Sequence, residues 1–323
     1  MLRAALWSVL HQTYRNFEVV VSDNASDEDL EAEVLATNDA RVRYFKQKEN
    51  IGGAANFRFL QTVATGEYVL FLCSDDLLLP NCLEKAVDAL DTQPQRGGVV
   101  YMVAHYNAHG FEYLSAMPDR KYATGEEYED DRAVRDFPYA SPTLCLYRRS
   151  TFERLGGWDA TLLAVGDLYL YSKMIRFGGG MIYLHEVLAI MRLHDDRASS
   201  NSDGHWDFYH DVMLLAAKPE LLWKREYRAR AVAAQLLLDW REGRSPYRTL
   251  RYIYRTGAVG NVLLYMPREI LRRIHIKLRL LLERPTSPRT QKSTLSGHPA
   301  NFDRNTFDAF WRTSEHVRGQ GPL

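Results

Sequence analysis

Two acidic features of this chain stand where an α/β protein places its chemistry. Asp23 follows the run Val19-Val20-Val21, and the pair Asp75-Asp76 follows Val69-Leu70-Phe71-Leu72. Carboxylates at the carboxyl edge of adjacent parallel strands converge on one crevice, where they hold a divalent cation through hard oxygen ligands and accept hydrogen bonds from a base or ribose. A cation there neutralises a diphosphate leaving group. The bland alternative is that Asp23 caps a turn with Asn24 and that Asp75-Asp76 cap the next helix. Taken alone, each Asp is more often a turn residue than a ligand. The order of the surrounding segments decides.

Leu2, Leu6, Val9 and Leu10 fall on one face of a helix over Leu2–Leu10, and Phe17–Val21 then switches to a β-branched run. Val42–Phe45 reads as a second strand and Asn56–Ala64 as a helix. Tyr68–Leu72 reads as a buried strand whose continuous apolar run suits a parallel sheet. A helix should follow Pro80, and Gly97–Val103 gives another strand. Strands alternating with helices predict an open α/β sheet. The stretch from Asn107 to Phe137 is polar and reads as an irregular excursion. Order returns with Pro142–Tyr147, helices near Ser150–Leu155 and Asp167–Phe177, and a strand near Met181–Met191. The domain reading is 1–209 for the α/β part, divided at 106/107, then a basic helical extension over 210–284. A Ser/Thr/Pro/Gly-rich tail, 285–323, is expected to be disordered until Phe302–Trp311.

Formal net charge is zero, yet residues 1–220 carry 21 basic against 33 acidic side chains and residues 221–290 carry 16 against 5. The basic segment contains Leu271–Glu283, LRRIHIKLRLLLE, which fits either an anionic membrane surface or a packed helix with a solvated basic face. No recognised nucleic-acid module accompanies the charge, so no nucleic-acid partner is expected. Three cysteines without metal or disulfide spacing fit a reducing compartment, and no run of about 18 apolar residues predicts a membrane span. The expected location is cytoplasmic, with the inner face of the plasma membrane reached through 261–284.

The runs LRAALWSVLHQTYRNFEVVVSDNASDED, NIGGAANF and ATGEYVLFLCSDDLLLP, followed by SPTLCLYRRSTFERLGGWDATLLAVGDLYLYSKMIRFGGGMIYLHEVLAIMRLH, resemble glycosyltransferase family 2. The resemblance implies the GT-A fold, a Rossmann-like, mostly parallel sheet flanked by helices, here with a C-terminal helical extension. It implies Ser8, Gln12, Thr13 and Tyr14 as the family's helix element. Asp23 becomes the base contact, Asn50 and Gly52 the segment passing the nucleotide, and Asp75 a further nucleotide-sugar contact. Asp76 becomes a metal ligand, with His194 of Arg192-x-His194 completing the shell of Mg²⁺ or Mn²⁺. Trp158 and Asp159 fall in the acceptor pocket, and Asp167 at a helix start is the general base of an inverting transfer. The partners implied are a nucleotide-diphosphate sugar, UDP-linked first, and a glycan or lipid-linked acceptor in cell-surface polysaccharide or glycolipid synthesis.

Three positions depart from the family. Cys73 stands where an acid is usual, and Gly166 replaces a Glu that often precedes the base. The family's first strand, of the type V-S-V-V-I-P-T-Y-N, has no counterpart before Met1. A start placed too far downstream, a truncated protein and a substitute segment compete to explain this, and the first is favoured. A catalytically impaired nucleotide-sugar or glycan-binding relic is the alternative function. A nucleotidyltransferase would want a glycine-rich basic phosphate loop, which the sequence lacks.

Overall fold

A computed structural model describes residues 1–115, 122–123, 145–162, 166–194 and 303–319. By its contacts the chain divides into two units, Met1–Asn201 with Lys292–Leu323, and Ser202–Gln291. The second unit, which carries the basic segment 210–284, lies outside the described residues.

The first unit is organised on two long strands, β5 (Gly98–Asn107) and β9 (Met181–Arg192), paired in parallel from Gly98↔Met181 to Tyr106↔Arg192. Both are almost wholly buried, which explains why their sequences are apolar nearly throughout instead of alternating. The register shifts on either side of Met102, and such irregularities bend and twist a ladder. Each long strand changes its outer partner along its length. β8 (Cys145–Arg148) and then β6 (Gly110–Leu114) line the free edge of β5. β7 (Tyr122–Ala123) and β4 (Leu77–Leu78) line that of β9. β3 (Tyr68–Leu70) closes the far side on β8, and the sheet curls.

Helices pack on this sheet through single apolar faces. α4 (Cys82–Asp91) buries Cys82, Leu83, Ala86, Val87 and Leu90, the i, i+4, i+8 row with its neighbours. α1 (Leu2–Leu10) buries Ala4, Ala5, Leu6, Ser8 and Val9. α5 (Arg149–Arg154) follows β8, and α6 (Gly166–Phe177) leads into β9 through Gly178-Gly179-Gly180. At Gly179, φ is +83° and a Cβ would lie 2.0 Å from the Gln95 carbonyl oxygen, so no side chain fits that turn.

A second sheet pairs β1 (Val19–Asp23) with β2 (Val42–Lys46) in parallel, with α2 (Leu30–Leu35) between them in the chain and α3 (Gly53–Val63) after them. Among the described residues β1 and β3 share no ladder.

Several sequence expectations shift. The α/β class stands, and the two parallel pairs are the β1–β2 and β5–β9 ladders, while the remaining pairings are antiparallel. β3 in particular pairs antiparallel with β8, because a short apolar run encodes burial and not direction. β5 extends to Asn107, past the predicted Val103, and α3 starts three residues before Asn56.

The largest correction concerns the tail. Residues Arg304–Gly319 form a 16-residue helix, α7, packed on the first unit. Its Phe307, Trp311 and Ser314 are buried at i, i+4, i+7. Phe310 meets Trp7 at 5.3 Å, Trp311 meets Tyr106 at 5.1 Å, and the Tyr106 hydroxyl donates to Asp308 Oδ1 at 2.8 Å. Removing a buried aromatic costs about 3 kcal/mol or more. Trp311→Ala should therefore lower the unfolding free energy of the unit, read by urea titration, by that amount, whereas the exposed Arg312→Ala should leave it within about 0.5 kcal/mol.

Candidate active site

The residues after the acidic pair are pinned by α1. Ser8 Oγ accepts from the Leu78 N–H at 3.1 Å, and Gln12 Nε2 donates to the carbonyls of Ser8 and Leu79 at 3.0 and 2.7 Å. Gln12 Oε1 accepts from the Leu83 N–H at 2.9 Å, and the Thr13 N–H donates to the Pro80 carbonyl at 2.7 Å. Gln12 is fully buried, so its amide acts as a two-sided clamp on the segment 78–83. β4 in that segment is also laddered to β9 at Ile190 and Ala189. The loop carrying Asp75 and Asp76 is thereby set beside the end of β9.

There the carboxylates meet their neighbours. The Asp76 side chain is buried and its Oδ1 accepts from the Arg192 backbone N–H at 3.2 Å. Asp75 Oδ2 lies 3.0 Å from His194 Nε2, and His194 Nδ1 is buried without a hydrogen-bond partner. The Cys73 sulfur and the Asp75 and Asp76 oxygens lie within 4.8 Å of one another. Two hard oxygens and an imidazole nitrogen suit Mg²⁺ or Mn²⁺, and a thiol beside them adds a softer donor that leans toward Mn²⁺ over Mg²⁺. Asp75 is thus shared between His194 and a group of donors made with Asp76 and Cys73, the last of which the sequence reading set aside.

Asp23 sits at the end of β1 with no exposed side-chain surface. Its Oδ1 accepts from the Ser26 N–H at 2.8 Å, its Oδ2 accepts from the Tyr44 hydroxyl at 2.8 Å, and Lys46 Nζ lies 3.8 Å away. Burial alone would raise its pKa, but the Ser26 donors, Tyr44 and Lys46 outweigh that and hold the carboxyl below its ordinary 3.8. As built, Asp23 orders the turn after β1. Asn24 ties this turn to the next segment: its Nδ2 donates to Asn50 Oδ1 at 2.9 Å, and its Oδ1 accepts from the Ile51 N–H at 2.9 Å. Asn50 Oδ1 also accepts from the Gly52 N–H, and Gly52 has φ +83° with open space where a Cβ would stand. Ser22 Oγ donates to Asn56 Oδ1 at 2.6 Å and fixes α3 against β1. Asn24, Tyr44 and Asn56 carry this edge and were not singled out from the sequence; side-chain amides two residues past a strand end were the available signal.

On the other half, Trp158 is 4% exposed and stacks on Phe57 of α3 at 4.8 Å and 17°, with its edge on Phe71 at 5.5 Å. Its indole N–H is buried and unpaired. Asp159 Oδ1 accepts from the Thr161 N–H at 3.0 Å and hydroxyl at 2.6 Å, closing a turn. Trp158 therefore joins the two halves of the unit as a core anchor. Gly166 packs against it, since a Cβ there would lie 3.0 Å from the indole ring. The half-buried Asp167 follows at the first turn of α6. The nearby Cys145 thiol is pushed up to about 12, first by burial, then with the Asp167 charge adding to it against a hydrogen bond to Tyr147.

Solved structures of similar shape place this arrangement. TarS 1-349 of S. aureus in complex with UDP-GlcNAc superposes with a TM-score of 0.54 at 18% identity, over 73% of this chain and 67% of that one. The same protein in complex with UDP gives 0.53 at 20% identity, over 73% and 66%. At that identity the likeness establishes the fold, which is that of the GT-A glycosyltransferases. Residues 1–156 match the model of glycosyl transferase family 2, which makes this part of the chain a family 2 domain. An uncharacterized glycosyltransferase of Rickettsia typhi is 26% identical over 208 residues, 62% of either chain. The Escherichia coli enzyme WfgD, named as a UDP-Glc:alpha-D-GlcNAc-diphosphoundecaprenol beta-1,3-glucosyltransferase, is 29% identical over 105 residues, 32% of this chain and 40% of its own. The chain spans 62% and 65% of the first two Rickettsia relatives and about a third of a third, from Rickettsia felis, to which it is 41% identical.

A carboxylate held below its unfolded pKa contributes stability that is fully present above the unfolded value and is lost as pH falls through the folded one. Tyr44→Phe removes one donor from Asp23 and so moves its folded pKa back up. The variant should lose stability at neutral pH, and the gap to wild type should close as Asp23 protonates; thermal unfolding between about pH 2 and 6 reads both.

Proposed function

We propose that this chain transfers one sugar from a nucleotide-diphosphate donor to a hydroxyl acceptor, with inversion, in the assembly of a cell-surface polysaccharide or glycolipid. The observation that carries the reading is the pairing of Asp75 with His194 and of Asp76 with the Arg192 backbone, between the loop before β4 and the end of β9. These residues fit a Mg²⁺ or Mn²⁺ ion, with Asp76 and His194 as its ligands and Asp75 toward the donor. When bound, the ion supplies positive charge that stabilises the departing diphosphate. Asn50 and Gly52 form the wall that the nucleotide passes, and Asp23 orders the edge that receives the base. Asp167 takes the acceptor hydroxyl proton as that oxygen bonds to the anomeric carbon. The bond from this carbon to the diphosphate breaks on the opposite face, and the nucleoside diphosphate leaves with the electron pair. Trp158 and Asp159 shape the acceptor side by holding the turn that precedes α6.

UDP-sugars are the proposed donors, because TarS was solved with UDP and with UDP-GlcNAc and WfgD is named for UDP-Glc. A lipid-linked acceptor follows from the WfgD name, and the basic segment 261–284 would meet the membrane that carries it. Among the described residues no helix is long and apolar enough to cross a membrane. Cys73 in an acid's place favours one second reading, a binding relic that holds donor without turning it over.

Asp167→Asn should lower transfer at least about a thousandfold while metal-dependent donor binding, read by calorimetry with UDP-sugars and Mn²⁺, stays within about threefold. Donor binding that vanishes with the substitution would refute Asp167 as the base. Wild-type protein that binds donor but neither transfers nor hydrolyses it would instead establish the relic.

A further inference from the structure

Arg192 ends β9 with its side chain 3% exposed, and none of its guanidinium nitrogens reaches a hydrogen-bond acceptor. What surrounds it comes from the C-terminal helix. The guanidinium carbon lies 5.2 Å from the Trp311 ring centroid, and Nη2 lies 3.6 Å from Glu315 Oε1. Glu315 Oε2 is itself held by Arg318 Nη1 at 3.1 Å. On the other side, the same residue's backbone N–H donates to Asp76. Burial draws the Arg192 pKa below its ordinary value; Glu315 is the foremost charge opposing this, the like charge of Arg318 adds to the lowering, and Asp75 and Asp76 oppose it less.

As a stabilising pair this is poor. The guanidinium is withdrawn from water, Glu315 is about a third exposed, and no direct hydrogen bond joins them, so the contact offsets little of the cost of burying Arg192. Its electrostatic consequence is larger. A buried guanidinium next to the acidic pair opposes any cation those carboxylates bind, and at this depth the opposition is weakly screened. Glu315 supplies the compensating charge from the far side.

We infer that Glu315 is a charge-balancing residue of the cation site: acting through Arg192, it restores to Asp75 and Asp76 the negative field that the guanidinium would otherwise cancel. The C-terminal helix is then part of the donor site although the chain reaches it only after the whole second unit. The inference rests on the proposed cation role of Asp76, and no substrate contact is assigned to Glu315.

The test is binding of Mn²⁺ alone to the full chain, read from the electron paramagnetic resonance signal of the free ion. Glu315→Gln should weaken binding about tenfold, and Glu315→Asp, which keeps the charge, should stay within about threefold of wild type. The double variant Arg192→Met/Glu315→Gln removes both charges, and with them any unpaired buried cation, and should recover binding to within about threefold of wild type. A purely structural role for Glu315 predicts no such recovery, so a double variant that binds as weakly as Glu315→Gln, or more weakly, overturns the inference, as does Glu315→Gln binding like wild type. If Glu315→Gln fails to fold, the comparison of the double variant with wild type decides by the same criterion. Asp76→Asn separates the two levels: it should abolish binding, and retention of wild-type binding would overturn the cation site itself and the inference with it.

Discussion

The parallel ladder between β5 and β9 is the constraint on which the rest of the unit depends. Parallel strands need a crossover, and the chain spends everything from Asn107 to Gly180 making it, so the acceptor half is in effect the connection between two adjacent strands. The ladder delivers the end of β9 next to the end of β5, and the site is assembled on that end. Asp76 is held by the backbone of Arg192, Asp75 meets His194 two residues further on, and Leu193 N–H returns to the Tyr106 carbonyl at 2.6 Å. A shift of β9 by one residue would turn Arg192 to the other face and break each of these links together.

The ladder fixes only one wall, and the opposite wall is held by hydrogen bonds to buried amides and hydroxyls. Ser8 and Gln12 do for the segment after Asp76 what Asn24 and Asn56 do for the segment after Asp23. In both cases a short polar side chain satisfies backbone groups that irregular chain would leave unpaired. This explains why α1 keeps Ser8 on its buried face and why Gln12, just past its end, is buried. Their loss would take from the N–H groups of Leu78 and Leu83 the acceptors they have in a dry interior.

Much of this was legible in the sequence, and the unread parts share a physical reason. The carboxylate Asp23 at the end of β1 and Asp167 in the first turn of α6 are local signals that lie where their type implies, whereas Asp75 and Asp76 stand in the loop directly before β4 and not at the end of β3. Strand direction is not local: the apolar run ending at Leu70 records burial alone, and its antiparallel partner lies near residue 146. The fate of Asp23 was likewise hidden, because its two donors come from Ser26 and from Tyr44 on a neighbouring strand. The resemblance placed Trp158 in the acceptor pocket, and in the structure Phe57 stacks on one face of its ring. α7 was masked by the polar composition around it, although Phe307, Phe310, Trp311 and Ser314 follow the i, i+3, i+4, i+7 pattern of a one-sided helix.

The charge pattern of the chain gains meaning from the site. The first 220 residues are acidic in balance, and the acids nearest the proposed cation are the buried Asp76 and the partly buried Asp75, with a thiol where a third carboxylate is usual. Cys73 stands where the family resemblance implies an acid, while Arg192 adds a buried positive charge near the pair. Two formal negative charges against one positive would bind a divalent cation poorly if nothing else acted at that depth. Ionisation of the thiol on cation binding is one remedy, since a coordinating sulfur gives up its proton to the ion. The carboxylate of Glu315, brought from the far end of the sequence, is the other, and it acts before any cation arrives. The acidic pair thus depends on an element that its own sequence neighbourhood gives no hint of, and its donor set is set by the fold around it as much as by the motif that announces it.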